Sequence, residues 1–461
     1  MPLPKKEKTK TLTKVLRLEI VKPVEMDWKT AGEKLRELQR WSAVVLNWCI
    51  RYYYAEASKN VDEKDFKTLK KSDLKIAGKS LYKIISPKFG EHMSCYALNQ
   101  LHNIARKKFT NDWFEIFVRG SKSLPSYKAA NCPIYLDYAK GQGYKIGEKA
   151  AENGLEHYIT MKIFPDREGR FYKETTFILH SKAFRDNNKK VTWERIRSGQ
   201  YKPGMVTILH SQRLNKWFVN ISYKFTPEKA EGLDANLRVG VDIGMNVPVY
   251  LALNEGWARE GIQGDDIVKV RTQLDRRRRN LRRNERKILD RRTGHGRTHK
   301  IAPIEKLQEL ENNFRRTANH RLSKAVVNFA LQHNAGVIVM EDLKGGYTPE
   351  DAFLRNWTYF ELQTMIENKA KEKGIEVKKI KPAKTSQRCS KCGYIDPKNR
   401  YDPKDKTKFK CLKCGEEFHA DYNAARNIAT LNIVEIIEKT LEEQKKQDKL
   451  DNQQTPSLFA D

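Results

Sequence analysis

The chain has 461 residues and a formal net charge of +31, from 89 Lys and Arg against 58 Asp and Glu. This length supports a large core divided among two to four domains, and the positive excess favours a polyanion partner over a small metabolite. A basic ribosomal-type or membrane-surface protein is the alternative. No stretch approaches the ~20 apolar residues of a membrane span, and the N-terminus lacks the apolar part of a signal peptide, so we expect a cytoplasmic protein.

The first part of the chain combines one strand with helices. A short β pattern ends at Pro23, and Asp27 is placed to cap a long helix. The apolar residues of that helix recur at steps of three and four, which predicts one buried stripe. Its members are Trp28, Ala31, Leu35, Leu38, Val45, Cys49 and Tyr52. A lysine-rich connection at 59–79 leads to a second helical pattern at 91–118.

Further along the chain, the sequence pattern indicates β-strands. Residues 154–225 alternate apolar and polar side chains between clusters of turn residues, which predicts short antiparallel strands. Such strands favour a small barrel or a twisted sheet, and the early strand could complete it. We therefore predict a β domain formed by residues 1–26 and 131–226, with a helical insertion at 27–130.

An α/β pattern follows a linker at 227–236. Two strands joined by a turn at Asn246 come first, and the helix predicted at 271–292 is very rich in arginine. A buried strand, AGVIVM, then leads to Glu341, and another helix and strand precede the cysteines. The tail at 439–461 is polar, and we expect it to be frayed or disordered.

Four of the seven cysteines form two C-x-x-C pairs. Cys389 and Cys392 make the first pair, and Cys411 and Cys414 make the second after a spacer of 18 residues. This spacing lets two tight turns present four thiolates to one tetrahedral zinc ion. Paired thiols in a chain without a secretion signal favour metal binding over disulfides.

Three acids stand out, two of them in apolar strands and one at the start of a helix. Asp242 lies in the strand VGVDIG, Glu341 ends the strand VIVM, and Asp421 begins a helix seven residues after Cys414. A buried carboxylate is costly unless it is paired or binds metal, although a strand-end Asp that caps a turn is the alternative for Asp242. Carboxylates from two strands and a helix can hold two divalent ions, Mg²⁺ or Mn²⁺, that hydrolyse a phosphodiester. Asp342, the residue after Glu341, is an alternative candidate for the metal ligand at the end of this strand.

These segments, in this order, resemble a RuvC-type, RNase H-like nuclease with a zinc knuckle inserted before its third segment. Among such proteins, which include the transposon TnpB proteins and the CRISPR type V effectors, the phrases RNWTYFELQ, TSQRCSKCG and GHGR are most similar to the miniature type V-F effectors. The resemblance implies an α/β nuclease domain at 237–384 and 419–438. It further implies a zinc-binding, target-nucleic-acid-binding segment at 385–418, and a β-barrel wedge domain that carries a helical recognition insertion.

The resemblance also implies roles and partners. Asp242, Glu341 and Asp421 correspond to the catalytic, magnesium-binding acids, and the four cysteines correspond to the ligands of a structural zinc. The expected partners are a guide RNA and target DNA, and the family implies a possible homodimer on one guide RNA. Two functional alternatives remain open: a TnpB-type nuclease, and a guided DNA-binding protein that does not cleave. A junction resolvase is a more distant one.

Arginines between the first two acids form a candidate nucleic-acid surface. One face of an ideal helix would carry four of them with a spacing that suits phosphates. They are Arg276, Arg279, Arg283 and Arg286. A solvated, salt-bridged helix is the alternative. Arg388, beside Cys389, either contacts a phosphate or braces the knuckle.

Overall fold

The computed structural model describes residues 11–59, 81–152, 154–165, 172–212, 214–244, 247–289, 297–343, 359–381, 384–400, 405 and 407–454. The chain divides into two compact units, Met1–Thr226 and Pro227–Asp461. The predicted turn at Asn246 and the connection after Lys59 lie outside the described residues. Within the described ranges, no helix is long and apolar enough to cross a membrane.

One antiparallel sheet forms the core of the first unit. Its strands are Leu12–Pro23 (β1), Ile134–Leu136 (β2), Tyr144–Ala151 (β3), Gly154–Pro165 (β4), Tyr172–Leu179 (β5), Lys202–Ser211 (β6) and Lys216–Phe225 (β7). Their order is β2-β6-β7-β1-β5-β4-β3. The early strand β1 therefore lies inside the sheet, where Leu16 pairs with Ile221 and Ile20 pairs with Leu179. The prediction that this strand joins the later ones is confirmed.

Helices occupy the chain between β1 and β2. They are Trp28–Ser58 (α1), Tyr82–Phe89 (α2) and Cys95–Trp113 (α3). Asp27 caps α1 as predicted, because its Oδ1 accepts a hydrogen bond from the Thr30 backbone N–H at 2.9 Å. The predicted stripe is buried except at its ends, since Trp28 is 39% exposed and Tyr52 is partly buried. The second helix starts later than predicted because Ser94 caps α3.

Strands β2 and β3 form the two edges of the sheet, and no ladder joins them among the described residues. Of the two forms that the strand pattern predicts, a small barrel or a twisted sheet, the described strands form an open antiparallel sheet, and the barrel that the resemblance implies is not closed among them. Two helices of this unit differ from the sequence prediction. Helix α2, and a further helix at Asn187–Arg197 (α4), are not predicted by the sequence pattern. α4 buries little besides Trp193 and Ile196, which is too short a stripe to read as a helix.

The second unit contains a mixed sheet. Its strands are Asp234–Asp242 (β8), Val249–Leu253 (β9), Arg259–Ile262 (β10), Ala335–Glu341 (β11) and Glu376–Ile380 (β12). In the order β10-β9-β8-β11-β12, the first three strands are antiparallel, and β11 runs parallel to both of its neighbours. The predicted α/β pattern is confirmed. The linker predicted at 227–236 ends earlier, because Asp234 already pairs with Ala335.

Helices and a small hairpin complete the second unit. The helices are Asp265–Leu289 (α5), Arg297–Gln332 (α6), Tyr359–Lys373 (α7), Ala420–Ala429 (α8) and Ile433–Gln454 (α9), and the hairpin is Lys408–Lys410 (β13) with Glu417–His419 (β14). The prediction of a disordered tail is wrong over most of its length, since α9 continues to Gln454. Ile433 and Ile437 pack against Ile395, and the Gln444 amide donates to the Ile395 carbonyl at 3.1 Å.

Candidate active site and zinc segment

The parallel register of β8 and β11 brings two of the predicted acids to one edge of the sheet. Met340 pairs with Val241, so the next residues along the two strands, Glu341 and Asp242, lie at neighbouring strand ends. These are the carboxyl ends of parallel strands, where open α/β sheets place their binding sites.

Helix α8 supplies the third acid. It packs directly on β8 at Gly240, where an added Cβ would lie 1.9 Å from the Ala425 carbonyl oxygen and 2.6 Å from the Ala429 nitrogen. Only glycine fits under a helix at this separation. Asp421, in the first turn of α8 and 8% exposed, is therefore held close to Asp242.

The three acids interact electrostatically. Burial, followed by the negative charges of Asp421 and Glu341, raises the pKa of the Asp242 carboxyl to about 7, and the Arg400 guanidinium opposes this rise. Burial also raises the pKa of Asp421, against the effects of His419 and Arg400. A buried carboxyl whose pKa is raised further by neighbouring carboxylates is a typical site for divalent cations.

Arg400 contacts the acid cluster although it lies in residues 385–418, the segment that carries the four cysteines and is called the zinc segment below. Its Nη2 lies 3.4 Å from Oδ1 of Asp421. A 3-10 turn at Pro397–Arg400 places it there, and the cysteine motif on either side gives no sign that this arginine reaches an acid. Sequence reasoning missed it.

Glu341 is held by two residues outside its own strand. The hydroxyl of Thr385 donates to its Oε1 at 2.6 Å, and the Gln363 amide in α7 donates to its backbone carbonyl at 2.5 Å. Asp342, the rival ligand, donates its backbone N–H to the carbonyl of Ile380 at 2.6 Å. The Thr385 hydroxyl thus ties the carboxylate of Glu341 to the segment that carries the cysteines.

The four cysteines come together as predicted. Their Sγ atoms all lie within 4.8 Å of one another, and the Cys389–Cys414 and Cys392–Cys411 separations are 3.8 and 3.5 Å. Zn–S bonds of about 2.3 Å in a tetrahedron require sulfur atoms about 3.8 Å apart. The cluster therefore fits one zinc ion.

Two equivalent turns present the thiols. The backbone N–H of Gly393 donates to the Cys389 carbonyl, and that of Gly415 donates to the Cys411 carbonyl, both at 2.9 Å. Both glycines have positive φ, 82° and 72°, which closes each turn without a Cβ clash. The pKa of Cys414 is lowered to about 7, mainly by the backbone N–H of Glu416, so this thiol ionises readily.

Two buried asparagines attach the first cysteine turn to α8. Asn423 accepts from the Ser390 N–H and donates to the Arg388 carbonyl, both at 2.8 Å. Asn427 donates to the carbonyls of Thr385 and Arg388 at 2.9 and 2.7 Å. Sequence reasoning missed this anchor, although two Asn residues four apart inside a buried helix are a recognisable signal, because each buried amide needs partners.

The candidate nucleic-acid residues lie in different settings. Arg388 is half-buried and its Nη1 donates to Oδ1 of Asn427 at 2.7 Å, which is the geometry of a brace. Arg276, Arg279 and Arg283 are exposed on α5. Their neighbour Arg278 turns inward instead and pairs with Glu311 of α6. The side chain of Arg286 lies outside the described residues. Phosphate contacts by these arginines stay predictions.

Comparison with known proteins places the chain in a family. A family model described as Cas12f1-like, TNB domain, matches residues 359–428. The chain is 37% identical to the CRISPR-associated endodeoxyribonuclease Cas12f1 of Sulfoacidibacillus thermotolerans, over 93% of this chain and 100% of that relative. It is 32% identical to Cas12f1 of Syntrophomonas palmitatica, over 88% of this chain and 86% of that relative.

A solved structure agrees in fold. The cryo-EM structure of a Cas12f1–sgRNA–target DNA complex superimposes with a TM-score of 0.74, at 23% identity, over 91% of this chain and 99% of that one. Sequence identity above 30% along nearly the whole length of a relative identifies the family: this chain belongs to the Cas12f1 family.

Proposed function

We propose that this protein is a CRISPR-associated, RNA-guided DNA endonuclease that cleaves target DNA at one RuvC-like site. The observation that carries the proposal is the meeting of Asp242, Glu341 and Asp421 at one sheet edge, in a chain whose full-length relatives are named endodeoxyribonucleases.

The acid cluster fits magnesium or manganese. Its donors are carboxylate oxygens, which hard divalent cations prefer. A bound cation would offset both causes that raise the pKa of Asp242, which are burial first and then repulsion by the other two acids. Asp242, Glu341 and Asp421 would hold such ions, which would supply activation of a water molecule and stabilisation of the leaving oxygen of a phosphodiester.

The chain's own groups prepare this site in the proposed mechanism. β8 and β11 fix Asp242 and Glu341 on a rigid sheet, and α8 fixes Asp421 against them. Arg400 holds a positive charge beside Asp421, at a position where a DNA phosphate would approach the carboxylates.

The zinc segment has a structural role in this proposal. Four cysteine ligands leave no open coordination position for chemistry. The segment instead carries Arg400 and Thr385 to the acids, and it is tied through Asn423 and Asn427 to the helix that bears Asp421.

The proposed partners are a guide RNA and target DNA, the components of the related solved complex. Pairing between guide and target would supply sequence specificity, while the protein would bind the backbones and a short flanking motif. The net charge of +31 and the exposed arginines of α5 suit this role. A homodimer on one guide, and a cytoplasmic location, stay predictions.

A transposon-encoded, TnpB-type nuclease is the second candidate. It would use the same acids and the same zinc segment, so the site does not separate the two. The relatives that match along nearly the whole chain are Cas12f1 proteins, which favours the CRISPR origin. A repeat–spacer array beside the gene would support that origin, and transposon ends would support the alternative.

The test is cleavage of a matched double-stranded target by the guide-loaded protein in Mg²⁺. We expect cleavage by the unchanged protein, none by Asp242→Ala, and normal cleavage by Asp265→Ala, which removes an exposed acid at the start of α5. Target binding should persist in Asp242→Ala. Binding without cleavage by the unchanged protein in any divalent ion would favour a guided binding protein, and cleavage by Asp242→Ala would refute the site.

A further inference from the structure

The Glu341 carboxylate is oriented by a hydroxyl from another segment. Thr385 Oγ1 lies 2.6 Å from Glu341 Oε1, and Thr385 is only 4% exposed. An ionised carboxylate can only accept hydrogen bonds, so the hydroxyl is the donor. With Gln363 bonded to the backbone carbonyl of Glu341, both the main chain and the side chain of this acid are fixed.

Thr385 is itself held firmly in place. Its carbonyl accepts from the amide of Asn427, a fully buried residue. The preceding residue, Lys384, has φ +48°, a left-handed conformation that is unfavourable for a residue other than glycine. The Lys384 carbonyl accepts from the N–H groups of Gln387 and Arg388, which closes a turn around Thr385. A strained turn kept by several hydrogen bonds indicates that the position of this hydroxyl matters.

We propose that Thr385 is a positioning residue whose hydroxyl holds the Glu341 carboxylate in the conformation that receives a divalent ion. The inference rests on the proposed function of the acid cluster. A glutamate side chain has several rotatable bonds, and without the donor its carboxylate would populate orientations that do not face Asp242 and Asp421. Partners that orient metal ligands typically change metal affinity by about 10–100-fold.

The experiment measures ion binding rather than cleavage. Mn²⁺ is titrated into the full-length, zinc-loaded protein without RNA, because nucleic acid also binds Mn²⁺, and free Mn²⁺ is followed by electron paramagnetic resonance. Asp242→Ala identifies the ions bound by the acid cluster. Thr385→Val removes the hydroxyl at nearly constant volume, Thr385→Ser keeps it, and Thr440→Val removes a hydroxyl that is bonded to the Ile436 carbonyl in α9.

We expect Thr385→Val to weaken binding of these ions by about 10-fold or more, with unchanged zinc content. Thr385→Ser should recover most of the affinity, and Thr440→Val should match the unchanged protein. The cleavage rate of guide-loaded Thr385→Val should recover towards normal at high Mg²⁺, because the variant lacks orientation and not a ligand.

Three results would overturn the inference. The first is binding of these ions by Thr385→Val that is as strong as in the unchanged protein. The second is binding by Thr385→Ser that is as weak as in Thr385→Val. The third is loss of zinc from Thr385→Val, which would make the role purely structural. The first result, with binding lost in Asp242→Ala, would leave the proposed function standing. If Asp242→Ala also bound Mn²⁺ normally, the proposed acid site itself would be wrong.

Discussion

The two clusters of potential metal ligands in the second unit are assembled differently. The cysteines come from two short turns, each closed by its own glycine, and the four sulfur atoms lie within 4.8 Å of one another. The acids come from two strands and a helix that are far apart in sequence, and they meet only because the sheet register and one helix–strand contact bring them together. Among the described residues, the cysteines alone form so close a group of three or more potential ligands. A wider arrangement of acids suits two ions, whereas the tight one suits a single ion.

Removing one cysteine should disrupt both clusters. Cys411→Ala should release the zinc and reduce cleavage to background, because the folding of such a segment depends on its metal, and Thr385 and Arg400 would lose their positions. Zinc content and guided cleavage are the measurements. Cys95→Ala, at an exposed cysteine outside the cluster, is the control. Cleavage at the normal rate by zinc-free Cys411→Ala would show that the acids do not need the segment.

A change at Gly240 should break the acid cluster and spare the zinc. Gly240→Ala places a Cβ 1.9 Å from the Ala425 carbonyl, so α8 must move away from β8 and carry Asp421 with it. We expect cleavage to fall by about 100-fold, the typical cost of misplacing a reacting group, and stability to fall by roughly 1–3 kcal/mol.

The matched control for Gly240→Ala is Gly32→Ala, since a Cβ at Gly32 meets nothing within 4 Å. Zinc content should be normal in both variants. If Gly240→Ala cleaved normally while folded, the close packing of α8 on β8 would not be what places the third acid.

Arg400 lies among the cysteines in sequence but contacts the acid Asp421 in the folded chain. Arg400→Ala should slow cleavage by about 10-fold, as expected when a preorganised charge near a reacting phosphate is lost. Its half-saturating Mg²⁺ concentration should not rise, because Arg400 is a cation that competes with the ions for Asp421. Arg400→Lys should recover part of the rate. A normal rate in Arg400→Ala would remove this residue from the mechanism.

The pH dependence of stability reports the charge on Asp242. In the folded protein its pKa is about 7, against an ordinary value of 3.8, so between these values the folded state binds more protons than the unfolded state. Stability therefore falls as pH rises through this window, and the loss is complete above it. Asp242→Asn does not titrate, so without Mg²⁺ its stability relative to the unchanged protein should grow from about pH 4 to about pH 7, by a few kcal/mol at most.

Denaturant unfolding in Mg²⁺-free buffer without chelator measures that difference. Asp265→Asn, at an exposed position on α5, controls for the change in net charge. A stability difference between Asp242→Asn and the unchanged protein that stayed constant with pH would mean that Asp242 does not titrate in this range.

The same contrast explains how much could be predicted from the sequence. The zinc cluster is local, so the spacing of Cys389, Cys392, Cys411 and Cys414 was sufficient to predict that they meet. The acids were predicted as a set from apolar strands that end in carboxylates, together with a family resemblance. Their meeting depends on the pairing of β8 with β11, which no local pattern specifies.

Contacts that arise only in the folded chain could not be predicted. Gly240 is required because helix α8 packs directly on it. Thr385 and Arg400 contact acids that are distant in sequence. Leu310 fits the helical apolar pattern of α6, yet it is 55% exposed. Apolar periodicity predicts which face of a helix could be buried, but it does not predict which element, if any, packs against that face. Short elements such as α4 carry too few apolar positions to be recognised.

We propose that three acids distant in sequence share one metal-binding site. The most direct test is cleavage of the protein's own backbone by Fe²⁺ bound at that site. Fe²⁺ replaces Mg²⁺ in the RNA-free protein, ascorbate and peroxide generate hydroxyl radicals at the bound ion, and mass spectrometry locates the cuts. We predict cuts near Asp242, Glu341 and Asp421 together, suppressed by excess Mg²⁺ and absent from Asp242→Ala. Cuts near only one of these acids, or cuts that persist in Asp242→Ala, would contradict a shared site.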